Sequence, residues 1–161
     1  MIKVGIITAS DRGARGETED VSANVIKEML KTIDGEVINY KIVSDDLDIL
    51  KDTMINMCEA GVDLILTSGG TGLSPRDNTP EATLAIIERE VPGIPEAMRQ
   101  ASLTITPHAM ISRARAGIRG KTLIINLPGS PKAVRENLEV VLPALPHAIE
   151  ILKGHVADCG R

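Results

Sequence analysis

Short apolar runs of strand length alternate along the chain with longer segments whose apolar residues recur at helical spacing. Residues 2–8 are β-branched and apolar and predict a first strand, followed by a glycine-rich polar loop. Residues 20–33 then place Val21, Val25, Ile26, Met29 and Leu30 on one face of a helix, and residues 37–43 predict a second strand. Ser44-Asp45-Asp46 opens another helix, with Leu47, Leu50, Met54 and Met57 down one side and Gly61 just past its end. Residues 64–67 form a third strand. Thr79-Pro80-Glu81 supplies a hydroxyl cap, a proline at the first helical position and a carboxylate in the first turn. The helix it starts is expected to run to about residue 90, where Pro92-Gly93 stops it.

Residues 94–103 predict a further helix and 107–111 a short one. The segments 113–118 and 122–127 flank Arg119-Gly120-Lys121 and suit a hairpin. Pro128-Gly129-Ser130-Pro131 repeats the cap-and-proline signal ahead of a helix over 132–142. A last helix starts at Pro143 or Pro146, runs to 152 and ends at Gly154, leaving about 155–161 as a flexible tail. The alternation, with short strands apolar on both sides, predicts an α/β fold: a mostly parallel sheet with helices on both faces, three layers in all. No repeat, low-complexity stretch or linker interrupts it, so residues 1–161 are expected to form a single domain.

Composition narrows the class. At 161 residues and 43% hydrophobic, the chain suits one full core, and with no Trp or Phe and one Tyr that core must be aliphatic. The two cysteines, Cys58 and Cys159, are too few for a disulfide framework or a four-ligand zinc site, and free thiols in a reducing cytoplasm are expected. The apolar start is too short for a signal segment, and no stretch approaches the roughly 18 apolar residues of a membrane span. The net charge of −4 hides an asymmetry. Residues 1–96 carry nine Lys/Arg against eighteen Asp/Glu, whereas 97–135 hold no acid and seven cations: Arg99, Arg113, Arg115, Arg119, Lys121, Lys132 and Arg135. A positive segment in an acidic chain points to a local anionic ligand, or to scattered surface charge, rather than to nucleic acid. One aromatic ring also argues against stacking on single-stranded bases.

In sheets of this kind ligands bind at the carboxyl ends of the strands. Four such ends are polar and turn-rich: Ser10-Asp11, Ser44-Asp45, the run from Ser68 to Asp77, and the run from Asn126 to Pro131. Two of them lead into helix N-termini, which favour phosphate, and glycine lets the backbone approach it closely. Gly69-Gly70-Thr71-Gly72 is neither a Walker loop nor a dinucleotide fingerprint; read alone, it serves equally as a turn or as a phosphate cradle. Asp45 and Asp77 are the more telling residues. A carboxylate beside a polyphosphate needs a cation between them, and Mg²⁺ is held by one or two carboxylates together with phosphates and waters. The alternatives are a helix-cap role for Asp45 and pairing with Arg76 or capping for Asp77. His108, His147 and His155 lack metal-ligand spacing, and Ser102 and Ser112 have no nearby histidine base, so their hydroxyls read as hydrogen-bond donors.

Thr67-Ser68-Gly69-Gly70-Thr71-Gly72, Pro75-Arg76-Asp77 and Thr79-Pro80-Glu81-Ala82-Thr83 resemble the signature of the MogA/MoaB molybdopterin-binding family. The resemblance continues through Ser102-Leu103, Ile105-Thr106-Pro107 and Ala116-Gly117-Ile118-Arg119-Gly120. It ends in Leu123-Ile124-Ile125-Asn126-Leu127-Pro128-Gly129, which is similar to the G domain of gephyrin. It spans nearly the whole chain. It implies a usually trimeric three-layer α/β fold and molybdopterin adenylyltransferase activity: ATP and molybdopterin give adenylyl-molybdopterin and pyrophosphate, with Mg²⁺. It further implies nucleotide binding by Ser10, Asp11, Gly69, Gly70, Thr71, Gly72, Pro128, Gly129, Ser130 and Pro131. Asp45 and Asp77 match two critical aspartates and are the implied Mg²⁺ ligands; Ser102, Ser112 and Arg113 match the pterin side. The loop Arg12-Gly13-Ala14-Arg15-Gly16 departs from the pattern, and Arg12 and Arg15 stay out of the site. A molybdenum-insertion protein would take the product onward. The competing readings are a non-catalytic molybdopterin carrier or scaffold of the same fold, and an unrelated nucleotide hydrolase.

Overall fold

The computed structural model of the chain describes residues 1–155. The expected tail lies outside them except for His155, as does Cys159. The elements run β1 (Ile2–Ala9), α1 (Asp11–Ala14), α2 (Val21–Leu30), β2 (Gly35–Val43), α3 (Leu47–Glu59), β3 (Leu64–Ser68), α4 (Thr79–Ile86), β4 (Arg89–Glu90), α5 (Gly93–Leu103), β5 (Ala116–Arg119), β6 (Thr122–Leu127), α6 (Pro131–Val141) and α7 (Leu145–Lys153). Single 3-10 turns occupy Lys31–Ile33, Pro107–Ile111 and Leu142–Ala144. The strands form one sheet in the order β2-β1-β3-β6-β5-β4. The first four are parallel, and β5 and β4 add an antiparallel edge.

Side-chain alternation on fully buried strands sorts the core into two layers. Val4, Ile6, Leu64, Leu66, Leu123 and Ile125 face α2, α5, α6 and α7, where Ile26, Leu30, Met98, Val134, Leu138 and Ile149 cover them. Ile7, Ile65 and Ile124 face the other way, against Leu50, Met54 and Met57 of α3 and Ala82 and Ile86 of α4. Each aliphatic side chain so buried contributes about 1.5–3 kcal/mol. The absence of rings is met by fit: a Cβ at Gly5 would stand 2.6 Å from the Met57 sulfur, so the bare strand is what admits that methionine.

Two expectations change. The helix after Thr79-Pro80 ends at Ile86, because Ile87 turns extended and the chain joins the sheet edge: Glu88 N–H donates to Ile118 O at 2.8 Å and Val91 N–H to Ala116 O at 2.8 Å. Gly117 permits that pairing, since a Cβ there would meet Ile87 Cδ1 at 2.4 Å and Arg89 O at 2.8 Å. At the other end, Asn78 takes the N-cap position and Thr79 the first helical position; the Thr79 hydroxyl caps nothing and has no partner. The polar loop after β1 also holds the short helix α1, with Ser10 Oγ accepting from Gly13 N–H at 2.9 Å.

The sheet's carboxyl end carries a buried polar joint. Asn126 is fully buried; its amide nitrogen donates to Thr67 Oγ1 at 3.1 Å and Thr83 Oγ1 at 2.9 Å, and its oxygen accepts from Arg115 N–H at 3.1 Å. Two neighbouring strands, α4 and the approach to β5 are thus tied through one side chain. Removing one member of such a network leaves buried groups unpaired. Asn126→Ala is therefore expected to lower unfolding free energy by about 2–4 kcal/mol in chemical denaturation. A loss below about 0.5 kcal/mol, the range of an ordinary surface change, would show the joint to be dispensable.

Candidate active site

Strand β1 connects outward to β2 and the chain then returns to β3 on β1's other side, so strand order reverses between β1 and β3. A crevice opens at the carboxyl ends of such a pair. Its floor is backbone. Gly69 has φ +90°, and a Cβ on it would lie 2.5 Å from Ala9 O; Gly129 lies against it, with its own Cβ position 3.5 Å from Gly69 Cα. Gly70 has φ +69°, and its Cβ would fall 2.3 Å from Thr79 Oγ1 and 3.3 Å from Asp45 Oδ1. Only glycine fits both positions. The turn at 128–131 is held from below, since Ser68 Oγ donates to Pro128 O at 3.1 Å and Ser22 Oγ to Gly129 O at 2.7 Å. It leads into α6, capped by Ser130 Oγ accepting from Ala133 N–H at 3.2 Å.

Three carboxylates border this floor. Asp11 and Asp45 exchange backbone bonds: Asp11 N–H donates to Asp45 Oδ2 at 3.1 Å and Asp45 N–H to Asp11 Oδ1 at 3.0 Å. Arg76 does not pair with its neighbour Asp77 but forks onto Asp11, at 3.1 and 2.8 Å. That guanidinium, and then the Asp45 amide, hold the Asp11 carboxyl below its ordinary range. Asp45 moves the other way: burial first, then the charges of Asp11 and Asp77, push its carboxyl up against the help of the Asp11 amide. Asp46, not Asp45, caps α3, accepting from Ile49 N–H at 3.0 Å. Asp77 Oδ2 accepts from Ser74 N–H at 3.0 Å and would stand 2.9 Å from a Cβ at Gly72. Asn78 Nδ2 donates to Asp45 O at 2.8 Å, which joins the two aspartate loops.

Two cavities flank the glycine loop. One, of about 390 Å³, lies between β1, β2 and the start of α2, and Ser10, Thr18, Glu19, Ser22, Gly69 and Gly129 are among its walls. The other, of about 240 Å³, brings Ser102 and Ser112 together with Thr71, Gly72, Pro128 and Arg99. Of the residues expected on the nucleotide side, Ser10, Gly69, Gly129 and Pro131 line the first cavity, Thr71, Gly72 and Pro128 line the second, and Asp11, Gly70 and Ser130 line neither; of the three expected on the pterin side, Ser102 and Ser112 line the second. Arg113 is placed differently. Its Nε donates to Gly72 O at 2.7 Å, its Nη2 to Asp77 O at 2.8 Å, and its Nη1 pairs with Glu81.

Sequence reading did not single out Thr18, Glu19 and Ser22 of the first cavity, or Arg99, Thr106, His108 and Asn137 of the second. Arg99 opens the acid-free segment and carried a signal. The others come from the loop before α2 and its first turn, a 3-10 turn with its cap and the middle of α6, which only the fold brings near the glycine loop. Arg15 pairs with Glu17 at 2.9 Å, away from the cavity walls. Among the described residues no group of three or more His, Cys, Asp or Glu could hold a metal ion, and no helix is long and apolar enough to cross a membrane.

Comparison with known proteins places this geometry. A family model described as "Probable molybdopterin binding domain" matches residues 5–147. The molybdopterin adenylyltransferase of Helicobacter pylori (strain J99) is 45% identical over 157 residues, which cover 96% of this chain and 89% of that protein. Gephyrin of Dictyostelium discoideum is 48% identical over 92% of this chain, which spans 22% of gephyrin's length. Among solved structures, the molybdopterin biosynthesis enzyme MoaB from Thermus thermophilus superposes with a TM-score of 0.91 at 52% identity, covering 96% of this chain and 98% of that one.

The opposed shifts of Asp11 and Asp45 generate a stability expectation. A carboxyl raised in the folded state costs the fold stability once pH exceeds its unfolded value, and that cost vanishes as pH falls through the folded value and the group takes up its proton. Asp45→Asn keeps an acceptor for the Asp11 amide but removes the charge. At pH 7 it should melt higher than the parent protein, with the advantage disappearing in acid. Scanning calorimetry across pH reads this directly. An equal or lower melting temperature at pH 7 would mean that Asp45's charge is fully compensated in the fold.

Proposed function

The chain belongs to the molybdopterin-binding domain family, and we propose that it is a molybdopterin adenylyltransferase, moving AMP from ATP to molybdopterin with release of pyrophosphate. One observation carries the reading: two cavities meet at a single glycine loop that Asp45 and Asp77 border. A transferase of this kind must hold two anionic substrates end to end, with the terminal phosphate of one against the α-phosphorus of the other. Positioning and neutralisation of charge do most of the work in such transfers.

In this reading ATP occupies the larger cavity, with Ser10, Asp11, Gly69, Gly70, Thr71 and Gly72 along its phosphates and Pro128, Gly129, Ser130 and Pro131 opposite. The positive end of α6 and the bare glycine backbone receive phosphate oxygens. Molybdopterin occupies the smaller cavity, lined by Ser102, Ser112 and Arg99, whose guanidinium is bonded to the carbonyls of Ser112 and Ala114. An oxygen of the pterin's terminal phosphate bonds to the α-phosphorus, the bond from that phosphorus to the β-bridging oxygen breaks, and pyrophosphate leaves. The donor set suits a hard cation. Asp45 and Asp77 offer oxygens, Arg76 is committed to Asp11, and Asp45 lies under repulsion from two other carboxylates. Asp45 and Asp77 would hold Mg²⁺, drawing its remaining oxygens from phosphates and water, and the cation would neutralise the ATP phosphates. The reading includes a cytoplasmic homotrimer that hands its product to a molybdenum-insertion protein; exposed apolar side chains such as Ile105 and Met110 suit burial between subunits.

The experiment mixes the protein with ATP, Mg²⁺ and molybdopterin and follows pyrophosphate and adenylyl-molybdopterin, which should appear together. Pterin binding without pyrophosphate would make the protein a carrier, and ATP turnover without pterin would make it a hydrolase. Asp77→Asn keeps an acceptor for Ser74 N–H but removes the charge. Its turnover should fall on the order of 10²-fold or more, with melting temperature and molybdopterin affinity unchanged. Near-normal turnover would remove Asp77 from the machinery.

A further inference from the structure

The loop from Leu73 to Arg76 is solvent-exposed, and Leu73, its one large apolar side chain, is 65% exposed. Burial therefore does not fix it. Within itself the loop has three short-range bonds, Asp77 N–H to Ser74 O at 2.9 Å, Ser74 N–H to Asp77 Oδ2 at 3.0 Å and a long one from Arg76 N–H to Ser74 Oγ at 3.5 Å. From outside, Arg76 ties the middle of the segment to Asp11 through its fork, and Arg113 holds the two ends. Arg113 N–H donates to Thr71 O at 2.9 Å, Nε to Gly72 O at 2.7 Å and Nη2 to Asp77 O at 2.8 Å, while Nη1 pairs with Glu81 at the start of α4.

We propose that Arg113 is a positioning residue for the nucleotide loop, a planar clamp that fixes both ends of the segment carrying Asp77, and not a ligand of the pterin. This rests on the adenylyltransferase reading for its substrates, but the geometry is the loop's own. The two carbonyls belong to residues five apart, and bridging them takes donors diverging from one rigid plane. Lysine offers a compact point charge and cannot hold both in the same way. The peptide bonds are trans, so each C=O turned towards the guanidinium turns the next N–H, of Leu73 and of Asn78, to the opposite side. Clamping the carbonyls thus sets amide direction as well as the place of the Asp77 carboxylate. Glu81 pairs with the remaining Nη1 and takes no part in the two carbonyl bonds.

The test is calorimetric titration of Arg113→Lys and Arg113→Ala with ATP and Mg²⁺ in the absence of pterin, and separately with molybdopterin. Losing charge-assisted bonds to two carbonyls should weaken nucleotide binding about tenfold or more in both variants, with molybdopterin affinity unchanged. Added guanidinium ion should restore nucleotide affinity to Arg113→Ala and not to Arg113→Lys. Glu81→Gln, which keeps both carbonyl bonds, should bind nucleotide as the parent does. If Arg113→Ala fails to fold, the lysine and Glu81 variants still decide the matter. Lost molybdopterin affinity with intact nucleotide affinity would make Arg113 a pterin ligand. Parent-like nucleotide binding by Arg113→Lys would show that charge alone suffices, and either result overturns the clamp. A parent protein that binds ATP and Mg²⁺ but forms no adenylyl product would sink the proposed activity while leaving the clamp to be judged on these titrations.

Discussion

Three strand ends converge on one backbone contact. Gly69 leaves β3 with positive φ, its α-carbon bare against the carbonyl of Ala9 at the end of β1 and against Gly129 beyond β6. The parallel register makes this convergence unavoidable, because Thr8 stands beside Ser68 and Ser68 beside Leu127, so the strands run out at the same level. A side chain at Gly69 would force the loops apart; Gly69 and Gly129 line one cavity, and Thr71, Gly72 and Pro128, next to them along the chain, line the other. The adjacency of the two cavities follows from how closely bare backbone can approach bare backbone.

The layer beneath is built to hold that contact still. The strands are aliphatic until their last residues, then switch to Thr67, Ser68 and Asn126, all buried and all bonded to a neighbouring element. A low-dielectric surround strengthens such bonds when every member is paired. Most of the polar groups buried in the sheet lie at its carboxyl end, with Asp63 and Thr122 at the other, and the Ile, Leu and Met packing between carries the stability. Thr8 and Thr79 are exceptions: both hydroxyls are buried without a partner, and that of Thr79 lies beside Gly70, directly under the loop.

Much of this could be read in the chain. Helical and strand periods located nearly every element, since apolar positions answer to burial alone. The period failed at 87–90, where a run that continues a helix on paper is taken by an open sheet edge and by Gly117, thirty residues away in sequence. In the site, turn chemistry and carboxylates marked Gly69, Gly70, Asp45 and Asp77, because glycine crowding and charge beside a turn are local signals. Pairing was not local. Arg76 and Asp77 are adjacent in sequence, yet the guanidinium reaches Asp11 across the crevice. The acid-free segment misleads in the same manner. Arg99 serves the carbonyls of Ser112 and Ala114, Arg115 pairs with Glu90, Arg119 serves Ile86 O, and Arg135 pairs with Glu28. Acids from other segments, and carbonyls left over at chain reversals, absorb much of the positive charge that a linear count assigns to a ligand.

The aspartates give the arrangement its direction. Asp11 and Asp45 hold each other's amides in a symmetrical exchange, but Arg76 sits on one of them only, and the two carboxyls are driven apart in opposite senses. Asp11 becomes a settled anion, neutralised by the chain itself. Asp45 is left half-buried between two negative neighbours, a state the fold tolerates because the strand ends and Asn78 fix its backbone. An aspartate destabilised in this way is poised to gain from a cation that brings its own oxygen ligands, whereas one already satisfied by an arginine would gain little. Placing Arg76 one residue before Asp77, yet turning it onto Asp11, therefore separates the carboxylates: one is neutralised by the chain and orders the loops, and the proposed cation role falls to the other two.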